Sequence, residues 1–256
     1  MSETGLVRAA IPPHHISICT PSYTGDTCDE HKMSLLEMSR QDEISWEYRL
    51  CTGVNPGLCR NLLVSNGETT LHQTLRPDIT HYLFVDADVS WHPEHIAMLM
   101  RHNVPVVSGS YISRHGNGRF YEAGMWDVCA GDIGDRVLWG SKGLNQVDWV
   151  GGGFVLATRE ALQTLEHPWW RHEIVRYLES TQAGLIAHSI EVEEDIGLCL
   201  NCAAHQIPVM LDCDCYVQHK VEWEMPTRMT PVVKEAHCNT APVFISNFAD
   251  SNQGST

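Results

Sequence analysis

His81-Tyr82-Leu83-Phe84-Val85-Asp86-Ala87-Asp88 is the stretch from which the rest of the chain is read. Its apolar run has the length of a strand rather than a helix, and its aromatic and β-branched residues suit a buried one. The run stops abruptly at two carboxylates one residue apart. Alternation along an extended chain points Asp86 and Asp88 in opposite directions unless the backbone bends between them. One can then ligate a metal while the other meets a ribose or a metal-bound water, and oxygen ligands suit Mg²⁺ or Mn²⁺. The plain alternative is a solvated acidic turn closing a strand, and two aspartates alone do not decide between these readings.

Outward from this strand the chain alternates between the two regular structures. His15 to Thr20 reads as a short strand, followed by a polar turn, Thr20-Pro21-Ser22-Tyr23-Thr24-Gly25, and a helix carrying Met33, Leu35, Leu36 and Met38. Ile44, Trp46, Tyr48 and Leu50 alternate with polar residues as in a half-buried strand. Asn55-Pro56 is a helix cap followed by proline at the first helical position, which predicts a helix to about Gln73. Pro93 opens a helix with Ile96, Leu99 and Met100 on one face, and 105–110 is the next strand. From 111 to 143 the Gly, Trp and charged residues predict hairpins and loops. An apolar run from 147 to 156 follows, then a helix capped by Thr158 and ending near Leu165. The segment 167–190 is expected to be a helix and then a loop. Glu193 to His205 reads as an amphipathic helix, and 208–212 and 215–219 as strands. This alternation predicts an α/β sandwich with a mostly parallel sheet, whose ligands bind at the carboxyl ends of the strands.

The 256 residues carry 17 Lys+Arg against 32 Asp+Glu, for a net charge of −15. Such a balance disfavours a dedicated nucleic-acid binder, which neutralises phosphates with clustered cations. An anionic ligand would approach this chain most easily together with a metal ion. No apolar run is long enough for a membrane-spanning helix. The first fifteen residues lack the apolar core of a secretory signal, so a cytoplasmic protein is expected. The ten cysteines are dispersed, and reduced, structural thiols are expected. A zinc knot from Cys199, Cys202, Cys213, Cys215 and His219 is the weaker reading, because no second Cys-x-x-Cys accompanies the first.

Three further groups carry possible chemistry. Gly151-Gly152-Gly153 interrupts an apolar strand, which suggests a bulge or a close approach of backbone to a ligand. Glu193-Glu194-Asp195 opens a helix, where acids are often only dipole partners; a carboxylate held there can also act as general base toward a hydroxyl. His219 ends a strand, and a lone histidine is more often a satisfied surface or core residue than a ligand. Trp126, Trp139 and Trp149 flank the loops between these groups, and aromatic faces suit sugar rings.

Taken in order, Thr20-Pro21-x-Tyr23, Arg60-Asn61, Asp86-x-Asp88, Val150-Gly-Gly-Gly-Phe154, Glu194-Asp195 and His219 resemble glycosyltransferases of the GT-A fold over residues 15–220. That resemblance implies a Rossmann-like α/β/α sandwich and a metal-dependent transfer from a UDP-, GDP- or dTDP-sugar to a hydroxyl acceptor such as a glycan. It further implies Mn²⁺ or Mg²⁺ held by Asp86, Asp88 and His219. Thr20, Pro21, Tyr23, Arg60, Asp86, Ala87 and Asp88 would bind the donor nucleotide. Trp149, Gly151, Gly152 and Gly153 would meet the sugar or acceptor, and Glu194 or Asp195 would be the base of an inverting reaction. The organisation expected is an extension at 1–14, a single catalytic domain at 15–225 and a tail or lid at 226–256. Within the domain, 15–110 would be the nucleotide half and 111–225 the acceptor half.

Two rivals remain open. Phe84-Val85-Asp86-Ala87-Asp88-Val89-Ser90 also resembles the first motif of haloacid-dehalogenase-type phosphatases, with Gly131-Asp132-Ile133-Gly134-Asp135 as a later acidic motif. No lysine lies between the two, where that chemistry needs a cation. A non-catalytic sugar-binding module would keep Asp86, Asp88 and the tryptophans and have no use for Glu194-Asp195. Nucleotidyltransferases are disfavoured because the loop 20–25 holds neither Lys nor Arg.

Overall fold

The strand His81–Val85 is the third of seven in a central sheet, and its last four residues are buried. The structure is a computed structural model that describes residues 14–42, 44–53, 55–65, 75–113, 120–125, 136–181 and 184–220, with backbone alone for those of 176–188. In chain order the elements are β1 (His15–Ser22), α1 (Asp29–Met38), β2 (Ser45–Thr52), α2 (Pro56–Val64), β3 (His81–Val85), β4 (Val89–Ser90), α3 (Pro93–Arg101), β5 (Val106–Ser110), β6 (Phe120–Gly124) and β7 (Arg136–Leu138). They continue with β8 (Leu144–Val147), β9 (Trp149–Val150), β10 (Phe154–Thr158), α4 (Arg159–Thr164), β11 (Glu173–Thr181), β12 (Gly184–Val192), α5 (Glu194–Ala204), β13 (Val209–Tyr216) and β14 (Gln218–His219).

The sheet order is β2-β1-β3-β10-β5-β13-β8. Five strands (β2, β1, β3, β5, β13) run one way, while β10 and β8 run against them, so the sheet is mixed but mostly parallel. Alternation along β3 sends Tyr82 and Phe84 into one apolar cluster with Leu63, Val64 and Leu198. Leu83 and Val85 enter a second cluster with Met38, Ile96 and Leu99. Helices α2 and α5 therefore cover one face and α1 and α3 the other, which explains why β3 lacks a polar side. Each such fully buried side chain contributes about 1.5–3 kcal/mol.

Local chemistry explains the helix starts. Asn55 Oδ1 accepts from the Leu58 N–H at 2.8 Å with Pro56 at the first position, and Thr158 Oγ1 accepts from the Ala161 N–H at 3.1 Å. Both caps stand where the sequence places them. Helix α2 is described to Val64, and the expected continuation to Gln73 lies outside the described residues beyond Ser65.

The segment 167–190 differs from expectation. It holds the antiparallel hairpin β11–β12, with Glu173 paired to Val192 and Thr181 to Gly184, not a helix and a loop. Each strand satisfies its backbone groups through the other, a long-range term that local propensity does not contain. The strands expected at 208–212 and 215–219 are largely one, β13, with a register shift between Asp212 and Tyr216, followed by the two-residue β14. Among the described residues no helix is long and apolar enough to cross a membrane. The expected segments 1–14 and 226–256 lie outside the described residues except for His14.

Candidate active site

The parallel strands deliver their carboxyl ends to one edge of the sheet, and a cleft of about 580 Å³ opens there. Pro21, Ser22 and Tyr23 line it from the end of β1, Asp86 and Asp88 from the end of β3, and Tyr111 from the end of β5. Gly152 comes from the turn before β10, and Glu193, Glu194 and Asp195 from the start of α5. Among the described residues seven carboxylates line the cleft: Asp26, Asp86, Asp88, Glu122, Glu193, Glu194 and Asp195.

The two aspartates reach the same cleft because the chain turns between them. The Val89 N–H donates to the Asp86 carbonyl at 3.0 Å and the Asp86 N–H to the Gly153 carbonyl at 3.1 Å, which supplies the bend that strict alternation would forbid. Strand β14 pairs with β4 immediately after, His219 opposite Val89, and the Lys220 N–H donates to the Asp88 carbonyl at 2.8 Å. This pairing sets His219 Nε2 3.5 Å from Asp88 Oδ1. His219 is also packed edge-on against the Tyr111 ring, at 5.3 Å between centroids.

Carboxylate oxygens and an imidazole in one cleft fit the donor chemistry of Mn²⁺ or Mg²⁺. Asp88 and His219 are adjacent, whereas Asp86 Oδ1 is engaged by Arg60. No ready-made group of three such ligands stands among the described residues. An ion here would complete its shell with substrate oxygens and water, the usual habit of Mg²⁺.

Arg60, on α2, is 3% exposed and sits at the centre of the acidic wall. Its Nη2 donates to Asp86 Oδ1 at 2.6 Å and its Nη1 to Glu194 Oε1 at 2.7 Å. Burial works against its charge, but Asp86, Glu194 and Asp195 overcome that and raise its pKa above the ordinary arginine value. Gly152 is glycine for a steric reason: a Cβ there would lie 2.6 Å from Arg60 Nη2. The close approach expected of the glycine run is thus to the protein's own guanidinium.

Asp195 follows Glu194 in the first turn of α5. Its Oδ1 accepts from the Ile196 N–H at 2.7 Å and its Oδ2 from the Gly152 N–H at 3.3 Å. Burial and the neighbouring Glu194 push its carboxyl up to about 6, with Arg60 opposing the rise. A carboxylate near that value is poised for proton transfer around neutral pH. The Tyr111 phenol, buried and accepting from the Gly153 N–H at 2.9 Å, is held well above its usual range by burial.

Of the residues singled out in the sequence, Pro21, Tyr23, Arg60, Asp86, Ala87, Asp88, Gly152, Glu194, Asp195 and His219 line the cleft. Thr20 is buried behind it, its Oγ1 3.4 Å from His31 Nε2, and so is not placed to touch a nucleotide. Trp149 is a correction: it is 3% exposed, belongs to the main core and lies under the Arg136 guanidinium. Its size suited it to the core more than to a sugar. Gly151 and Gly153 pack against Tyr111. Trp126 and the Gly131–Asp135 motif lie outside the described residues, while Trp139 is half-exposed and stacked on Tyr216. The cysteines among the described residues are free thiols. Tyr111 and Glu122 were missed; for Tyr111 the signal was its place just past the strand ending at 110.

No family model and no curated protein matches this chain. Among solved structures, A197 from STIV aligns with 88% of this chain and 100% of its own length, at 13% identity and a TM-score of 0.46. So distant a likeness lends no weight to any activity.

Proposed function

We propose that the protein transfers a sugar from a nucleoside-diphosphate sugar to an acceptor hydroxyl, on a GT-A-like, Rossmann-type sandwich. The observation that carries this reading is convergence. Signals scattered from Pro21 to His219 line a single cleft at the carboxyl edge of a mostly parallel sheet.

In this reading Tyr23, 66% exposed at the mouth, offers its ring to the nucleobase. Asp86, Asp88 and His219 would hold Mn²⁺ or Mg²⁺, whose chemistry is to offset the diphosphate charge in an otherwise acidic cleft. Asp195 is the better base of the acidic pair. Glu194 Oε1 is tied to Arg60 and its Oε2 lies 3.7 Å from His172 Nε2, whereas Asp195 has a carboxyl pushed up to about 6. Asp195 takes the acceptor hydroxyl proton as that oxygen attacks the anomeric carbon, and the bond from that carbon to the diphosphate oxygen breaks on the opposite face, releasing the nucleoside diphosphate with inversion of configuration. The phosphatase reading finds no lysine among the described lining residues to hold a transferred phosphoryl group.

Thermal unfolding with UDP, GDP and dTDP, each with and without Mn²⁺, tests the reading. A ligand at 100 times its Kd stabilises the native state by about 2.7 kcal/mol. One diphosphate is expected to stabilise only with metal present. A flat panel, together with no hydrolysis of any nucleotide-sugar, would end the proposal.

A further inference from the structure

An arginine in a cleft meant for a diphosphate invites assignment as a phosphate ligand, but both terminal nitrogens of Arg60 already donate within the protein, and its Nε is buried. Nη1 is held by Glu194, and Nη2 is shared between Asp86 and the Gly152 carbonyl, the latter at 3.4 Å. One face of the guanidinium is covered by the Trp170 ring, 4.6 Å from Cζ to centroid. The backbone that carries that ring is held from α2: Asn61 Nδ2 donates to the Trp170 carbonyl at 2.7 Å, and the Trp170 backbone N–H donates to Asn61 Oδ1 at 3.1 Å. Adjacent residues of α2 therefore lock both the cation and its aromatic cover. The two carboxylates on the fork come from opposite ends of the site, Asp86 from the turn after β3 and Glu194 from the first turn of α5.

We infer that Arg60 is a positioning residue: its planar fork ties Asp86 to Glu194 and so sets the spacing between the nucleotide-side turn and the helix that presents Asp195, without itself binding the donor. This rests on the function proposed above. The fork matters because two donors at a fixed angle span two carboxylates, whereas a lysine ammonium is a point charge that satisfies one geometry at a time.

The test compares Arg60→Lys and Arg60→Met with the natural protein, reading nucleoside diphosphate affinity with Mn²⁺ by calorimetry and donor turnover against pH. Affinity is expected to stay within about threefold while kcat falls by about 10²-fold, the scale of a small misplacement of reacting groups. In Arg60→Met the acid limb of the turnover profile should also move to higher pH. The groups facing Asp195 are Arg60 from α2, Tyr111 beyond β5, and Glu193, Glu194 and Cys199 on its own helix; of these Arg60 alone favours its charged form. Loss of affinity by tenfold or more with kcat unchanged would make Arg60 a phosphate ligand and overturn the inference. If the natural protein binds no nucleoside diphosphate and turns over no donor, the proposed function fails. The clamp is then judged alone, by a double-mutant cycle of Arg60→Met with Glu194→Gln in denaturant. Coupling of about tenfold in the unfolding equilibrium constant supports it, and additive effects refute it. Should Arg60→Met not fold, Arg60→Lys takes its place in the cycle with the same two outcomes.

Discussion

Two acidic pairs line the same cleft and live in different surroundings. Asp86 and Asp88 sit on a turn, with side chains 33% and 35% exposed. Glu194, at a helix start, is 12% exposed, and Asp195 beside it carries a carboxyl raised to about 6. The same chemical group is thus kept partly solvated in one place and largely desolvated in the other; in the proposed function the first pair would meet a cation and Asp195 a proton. Environment divides the labour that composition leaves undivided.

The sharpest way to break the comparison is to exchange roles within it. Asp195→Asn is expected to lower turnover by about 10²–10⁴-fold with metal-dependent nucleotide binding retained. In the natural protein turnover should fall as pH drops through about 6, because the base acts deprotonated. A rate flat from pH 5 to 8 would dissociate Asp195 from the chemistry. On the other pair, Asp88→Ala should abolish the metal-dependent thermal stabilisation, about 2.7 kcal/mol at 100 times Kd, while leaving the unliganded melting temperature nearly unchanged. Gly152→Ala drives a Cβ into a guanidinium that is held at both ends, and should cost about 1–3 kcal/mol in a denaturation midpoint. A last effect, of similar size, sharpens the contrast. A carboxyl with a raised folded pKa destabilises the fold fully above that pKa, and the cost fades as pH falls toward the ordinary carboxylate value. Asp195→Asn should therefore gain about 1–3 kcal/mol above pH 6 and little near pH 4.

Much of this was legible locally. A buried strand ending in two aspartates, the Asn55 and Thr158 caps, and the alternation of strand and helix follow from side-chain size, branching and short-range hydrogen bonds. What was not legible depends on partners distant in the chain. The hairpin β11–β12 exists because each strand completes the other. The commitment of Arg60 requires Asp86 and Glu194, neither near it in sequence. Trp149 looked like a ligand platform from composition, and only packing shows that it fills the core. The bend that turns Asp86 and Asp88 to one side is anchored by Gly153, in the turn that leads into β10, the strand that inserts between β3 and β5 from far downstream.

That late insertion bears on how the chain assembles during its own synthesis. The Arg60–Glu194 contact spans 134 residues, so at ordinary translation rates on the order of ten seconds separate the appearance of the two partners. Early in that interval the first three parallel strands can pair while β10 is still missing from between β3 and β5, and until α5 appears the cation awaits half of its counter-charge. A ribosome-bound intermediate is therefore an exposed sheet edge beside an under-compensated arginine, the kind of species that chaperones shield. The cleft is complete only after α5 and then β14, which carries His219, have followed β10.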